Sequence, residues 1–119
     1  MTTKRRQSPS RDPDPSGATL FWTDRALSDL EAIGDYISRD DPRAAVRWID
    51  QLLAAAVRAA LNPLAGRPVP EVGRSDVREV FKKTYRIVYR VSRGRIEILT
   101  VFEGHRLFPD EVDVPSETS

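Results

Sequence analysis

Between residues 24 and 61 two apolar stripes of helical period follow one another, separated by only a few residues. In the first, Ala26, Leu30, Ile33 and Ile37 recur at three- and four-residue steps with Leu27 beside them, while Asp24, Arg25, Asp29, Glu31 and Asp35 face elsewhere. That spacing predicts an amphipathic helix of about four turns. Thr23 or Asp24 supplies the oxygen that caps its start. Asp41-Pro42 opens a second helix, with proline at the first helical position where its missing N–H costs nothing. Val46, Ile49, Leu53, Ala56 and Ala60, reinforced by Leu52 and Val57, carry its period to Leu61, and Asn62-Pro63 stops it. So short a link forces an antiparallel helical hairpin, and the hairpin's apolar stripe needs a second layer to cover it.

The flanking sequence supplies that layer. Residues 19–22 form a short apolar, β-prone run. Residues 64–73, with Gly66, Pro68 and Pro70, read as a loop. Residues 77–81 are followed by residues 85–91, in which Tyr85, Ile87, Tyr89 and Val91 alternate with Arg86, Val88 and Arg90 in strand period. Ser92-Arg93-Gly94-Arg95 is a tight turn with glycine where a positive φ is needed, and residues 96–102 form an almost wholly apolar strand, central and covered on both faces. The expected fold is α+β, in the order β-α-α-β-β-β, with the helical hairpin packed on a small, mainly antiparallel sheet.

Composition narrows the chemistry. The chain has 119 residues, 39% hydrophobic and 31% charged, enough for one domain with one modest core. It has no cysteine and a single histidine, which excludes thiol chemistry and a Cys-based zinc site and argues against a metal centre. No apolar stretch approaches the roughly 18 residues of a membrane span, and no apolar segment follows the basic N-terminus, so a cytoplasmic protein without a membrane partner is expected. Residues 1–18 combine Lys4, Arg5, Arg6 and Arg11 with proline, serine and glycine and read as a disordered basic arm; residues 109–119 read as an acidic tail. The formal net charge of +1 is unevenly spread: residues 66–106 carry a net +5, whereas the helical hairpin at 24–62 carries −2. A basic sheet surface suits RNA phosphates or an acidic protein segment, and strand-edge cations also serve solubility.

Read together, Ala26-Leu27-x-Asp29-Leu30-x-x-Ile33-x-x-Tyr36-Ile37, Gly66-Arg67-Pro68, Arg78-Glu79, and Tyr85-Arg86-Ile87-Val88-Tyr89 before Ile96-Glu97-Ile98-Leu99 resemble the RelE/ParE toxins of bacterial type II toxin–antitoxin systems over residues 19–108. The resemblance implies a small toxin that arrests growth and is neutralised by a cognate antitoxin, ParD-like or RelB-like, in a hetero-oligomeric complex and without a cofactor. It also implies one of two targets, DNA gyrase for ParE-like members or mRNA on the translating ribosome for RelE-like endoribonucleases.

Metal-free RNA cleavage needs a proton acceptor for a 2′-OH, cations at the phosphate and an acid for the leaving oxygen. Aligned on the Tyr-Arg strand, Arg86 and Arg106 match two arginines of the RelE-like enzymes. Their two lysine positions fall on Val77 and Glu79, and their tyrosine position falls near Val112. This incomplete set favours the ParE-like branch, with the endoribonuclease or a degenerate member that only binds antitoxin as alternatives. If the chain is a ribonuclease, Arg86, Arg106 and His105 are its candidate catalytic residues; His105 also reads simply as a surface histidine at a strand end. Arg78, Lys82, Lys83, Arg86 and Arg106 are the candidate target-binding residues, although Arg86 is equally placed to pair with Glu79 or Glu97. Trp22, Tyr36 and Trp48 are the candidate antitoxin contacts, and no residue is assigned to a metal.

Overall fold

The computed structural model describes residues 17–116, so the expected basic arm lies outside the described residues through residue 16, as do residues 117–119 of the acidic tail. Strand β1 (Thr19–Trp22) leads into helix α1 (Asp24–Ser38) and helix α2 (Pro42–Leu61). After a 3-10 turn at Pro63–Ala65 come β2 (Arg67–Pro68), β3 (Val77–Lys82), β4 (Tyr85–Ser92) and β5 (Arg95–Glu103). The strands form one sheet in the order β1-β5-β4-β3-β2, with β1 parallel to β5 and every other pair antiparallel. This is the expected α+β arrangement, a helical hairpin on a mostly antiparallel sheet.

The helix ends reflect their capping chemistry. Thr23 Oγ1 accepts the Ala26 N–H at the start of α1, and the Asp41 carboxylate accepts the N–H groups of Arg43 and Ala44 at the start of α2, where Pro42 takes the first turn. The segment expected to be wholly loop contains the two-residue β2, paired with Arg78 and Glu79 of β3. Two residues show no periodicity, and Pro68 is tolerated because β2 is the sheet's edge.

Two apolar clusters hold the layers together. On the helical side Ala26, Leu30, Leu52, Ala56 and Ala59 pack against Ile87, Tyr89, Ile96, Ile98 and Val101. Complete burial of side chains such as Leu52 and Ile96 stabilises the fold by roughly 1.5–3 kcal/mol each. The second face of the sheet carries a smaller cluster of Val69, Val77, Val88, Leu99 and Phe102. Phe108, Val112 and Val114 pack onto it, so the stretch beyond β5 combines its acidic residues with apolar ones that cover the sheet. β5 lies between β1 and β4 and is buried on both faces, as its near-continuous apolar run requires. Gly94 in the β4–β5 turn has φ of +69°, and Lys83 in the two-residue β3–β4 turn has φ of +56°. No described helix is long and apolar enough to cross a membrane.

Candidate functional site

The alternation of β4 puts Tyr85, Ile87 and Tyr89 under the helices and turns Arg86, Val88 and Arg90 to the second face. There Arg86 is almost fully enclosed, with its side chain 7% exposed. Its Nε donates to Glu79 Oε1 at 2.6 Å, and its two terminal nitrogens donate to the two carboxylate oxygens of Glu71 at 2.8 and 2.9 Å. The guanidinium also lies over the Phe102 ring, 5.0 Å from its centroid. Glu79, with no exposed side-chain surface, accepts a second arginine on Oε2, Arg67 Nε at 2.7 Å. The Arg86 hydrogen bonds hold the Glu71 carboxyl far below its ordinary range, at about 2, and the Glu71 carboxylate in turn raises the Arg86 pKa.

The other arginines of this face are similarly engaged. Arg74 makes a two-point contact with Asp76, whose pKa it lowers, and Arg90 lies 3.5 Å from Asp76 and 3.9 Å from Glu97. Arg78 donates to the Gly66 carbonyl at 2.7 Å, closing the loop before β3. The basic residues of 66–106 are therefore not all free cations: Arg67, Arg74, Arg86 and Arg90 are paired with carboxylates of the same segment, and the net +5 that remains rests on the others. Lys82 and Lys83 stand apart at the β3–β4 turn.

A concave region opens beside α1, at the same end of the strands as the β3–β4 turn. It is a groove of about 1020 Å³ between α1, the end of β5 and the stretch after it. Ile33, Tyr85 and Val101 line it together with Tyr36 of α1, Arg39 just past the end of that helix, and Arg106 and Leu107 from beyond β5. Tyr85 carries Trp48 edge-on at 5.5 Å between ring centroids, and burial pushes its phenol pKa up, so that it remains protonated at neutral pH. Arg39 lies over the Tyr36 ring at 5.9 Å. His105, exposed, has Nε2 3.9 Å from a Glu103 oxygen.

The candidate residues thus divide. Arg86 lies inside an ion-pair network on one face, whereas Arg106 opens into the groove and His105 is exposed at its edge. Tyr36 and Trp48 converge on Tyr85; Trp22 is half-buried against the main core, away from them. Sequence reasoning misses Glu71 as the clamp on Arg86 and misses Arg25 and Arg39 as parts of a groove. Glu71 lies in a Pro/Gly-rich loop without periodicity, so only its carboxylate marks it. Arg25 and Arg39 are distinguishable on the helix only by facing away from its apolar stripe.

This architecture has close counterparts. The family model of the ParE toxin of the type II toxin–antitoxin system parDE matches residues 20–108. The putative toxin Y4kP of Sinorhizobium fredii is 43% identical over 93 residues, covering 76% of this chain and 92% of its own length. Toxin RelE2 of Caulobacter vibrioides is 38% identical over 91 residues, covering 76% of this chain and 99% of its own. A chain of the chromosomal ParDE toxin–antitoxin system from P. aeruginosa shares the fold, with a TM-score of 0.62 at 23% identity over 74% of this chain and 97% of that one. The matched span runs from β1 to the end of the sheet and just beyond, taking in the hairpin, the Arg86 strand and Arg106. On that basis the chain belongs to the ParE toxin family of type II toxin–antitoxin systems.

Proposed function

We propose that this toxin arrests growth by binding DNA gyrase, without chemistry of its own, and that an antitoxin holds it inactive. The observation that carries this reading is the closure of Arg86 by Glu79 and Glu71, with both terminal nitrogens and Nε committed to carboxylates. A ribonuclease working without a metal needs unquenched cations at the scissile phosphate. Here Val77 and Glu79 stand where the resembling enzymes have lysines, and a buried carboxylate at that place repels a phosphate. The relatives' names include both ParE and RelE, so naming does not divide the targets; the chemistry of the face is what favours gyrase. Lys82, Lys83 and Arg106, which are not drawn into the Arg86 network, are the cations we assign to contact with the target, with Arg78 and Arg86 supporting the sheet behind them.

Purified toxin at micromolar concentration is expected to inhibit DNA supercoiling by gyrase while leaving mRNA on translating ribosomes intact. Untouched supercoiling together with cut mRNA would replace this reading with the endoribonuclease, and Arg106 and His105 would then be the first residues to substitute. Expression without antitoxin that leaves growth unchanged would instead identify a member that only binds antitoxin.

A further inference from the structure

The lysines of the β3–β4 turn have an exposed aromatic residue beside them. Phe81 follows Val77 and Glu79 at two-residue steps on the second face of the sheet, and it is 50% exposed. Its setting begins at a buried carboxylate. Glu79 Oε2 holds Arg67 Nε at 2.7 Å, and the Arg67 guanidinium lies over the Phe81 ring, 5.4 Å from its centroid. Gly104 makes room for the ring, because a Cβ there would stand 3.4 Å from Phe81 Cε2. A large apolar side chain is thus propped by a fixed guanidinium with half of its surface left in water.

The turn next to it is built against local preference. Lys83 opens the two-residue loop between Lys82 and Tyr85 with φ of +56°, a left-handed conformation that disfavours a residue with a Cβ and that such loops usually give to glycine or asparagine. Its surroundings hold the loop in that shape: the Thr84 hydroxyl donates to Glu103 Oε2 at 2.9 Å, and the Gly104 N–H donates to the Thr84 carbonyl. Glycine would serve the same backbone without strain, whereas lysine puts an exposed cation at the tip. Strain of this kind, fixed by neighbouring contacts, gathers at binding sites.

We infer that Phe81 is the aromatic anchor of the contact with gyrase, resting on the reading proposed above, with the strained Lys83 as its cationic companion. Arg67 is a positioning residue that acts through the ring. The complementary surface on the target is an apolar cleft rimmed by carboxylates: the ring loses water on entering it, and Lys82 and Lys83 meet the rim. A single-stranded nucleic acid is the poorer occupant. Base stacking needs an open ring face, but Arg67 covers one face of this ring and the Glu103 carboxylate stands at the foot of the turn. Phe21 on β1 offers a comparison, since it too lies beneath an arginine, Arg95 at 4.1 Å, and is 40% exposed, yet among the described residues no lysine accompanies it.

The test compares variants of the full chain for binding to purified gyrase and for inhibition of supercoiling, with a thermal midpoint for each. Phe81→Ala is expected to weaken binding and inhibition about thirtyfold at any salt, and Phe21→Ala to change them less than about twofold. Arg67→Ala is expected to weaken both about threefold and to add nothing in a chain that already carries Phe81→Ala; full additivity would overturn its positioning role. Lys83→Gly separates contact from folding, because it relieves the backbone while removing the cation. Its thermal midpoint is expected to rise by about 2–5 °C while binding falls about fivefold at low salt, with the loss shrinking as salt rises. Binding by Phe81→Ala or Lys83→Gly within twofold of the unsubstituted chain would overturn the inference and leave the gyrase reading intact. An unsubstituted chain that neither binds gyrase nor inhibits supercoiling would overturn both. Variants whose affinity for a single-stranded RNA or for the antitoxin fell while that for gyrase held would give the tip to that occupant and overturn the inference as well.

Discussion

Asp29 and Thr100 are 71 residues apart in sequence, yet the Thr100 hydroxyl donates to Asp29 Oδ2 at 2.5 Å in the folded chain. The same oxygen accepts the Val101 backbone N–H at 3.0 Å, and Oδ1 accepts from Arg25 Nε at 2.9 Å. The need for this is topological. β1 ends at Trp22, opposite Ile98, and the chain turns away into α1, so the edge of β5 beyond that point has no strand beside it. Thr23 and Asp29 take over: the Thr23 hydroxyl donates to the Ile98 carbonyl at 2.8 Å, and Asp29 receives the next free edge N–H. A carboxylate on the second turn of α1 thereby fixes the helix on the sheet.

Replacing Asp29 with alanine leaves the Val101 N–H and the buried Thr100 hydroxyl without their partner. The expected loss is about 2–3 kcal/mol. Urea unfolding should show a lower midpoint at unchanged slope, with Asp29→Asn, which keeps an acceptor, falling between the two.

Glu79 makes a sharper case. Its carboxylate is fully enclosed and shared by Arg67 and Arg86, so Glu79→Ala leaves Arg86 as an enclosed cation held only by Glu71. A cost of about 3–5 kcal/mol is expected, whereas Arg67→Ala, at a side chain 58% exposed, should cost less than about 1 kcal/mol. Equal effects of the two substitutions in a denaturation series would mean that the network is not organised around its buried carboxylate.

These residues also mark the boundary of what a single chain discloses. The hairpin is legible because its signals are local: Asp41-Pro42 caps the helix it opens, and Ile33 and Ile37 repeat within one element. The alternation through Tyr85, Ile87 and Tyr89 separates the faces of β4 for the same reason. Asp29 reads in sequence only as a polar residue on the solvent side of an amphipathic helix, since its acceptor role depends on where β1 stops against β5. Glu71 is hidden by the same kind of distance: strand spacing marks Arg86 as a cation able to pair, with Glu79 correctly among the choices, but a loop residue has no period from which its direction could be read. The groove is a product of three segments meeting, and no one of them encodes it.

Gly66 answers to β-strand contacts rather than turn geometry. A Cβ there would clash with the Tyr89 hydroxyl oxygen and lie 2.7 Å from the Glu79 carbonyl oxygen. The Tyr89 ring is buried and its hydroxyl donates to the Pro63 carbonyl at 2.7 Å, so neither neighbour can yield cheaply. Gly66→Ala should destabilise the fold by about 2–3 kcal/mol through overpacking. At Gly73, where φ is +73° and nothing stands within 4 Å of the added methyl, alanine should cost only about 1 kcal/mol of backbone strain. Thermal midpoints of the two variants measure the difference directly.

The Glu71–Arg86 clamp gives the protein a predictable acid response. The Glu71 carboxyl has its pKa lowered from 4.5 to about 2 by hydrogen bonding to Arg86, so the folded state holds the ionised form more tightly than the unfolded chain does. Its contribution to stability is complete above pH 4.5 and is lost as the pH falls from there toward 2. With 42% of the Glu71 side chain exposed, solvent screening reduces that contribution to about 1 kcal/mol. Asp76, lowered by Arg74, adds to the loss in the same direction. In urea titrations the gap in stability between the unsubstituted chain and Glu71→Gln should be constant at neutral pH and close as the solution is acidified. Stability curves for the two proteins that remain parallel down to pH 2 would show that Glu71 does not hold Arg86 in solution, and the enclosed arginine would then be open to an outside anion.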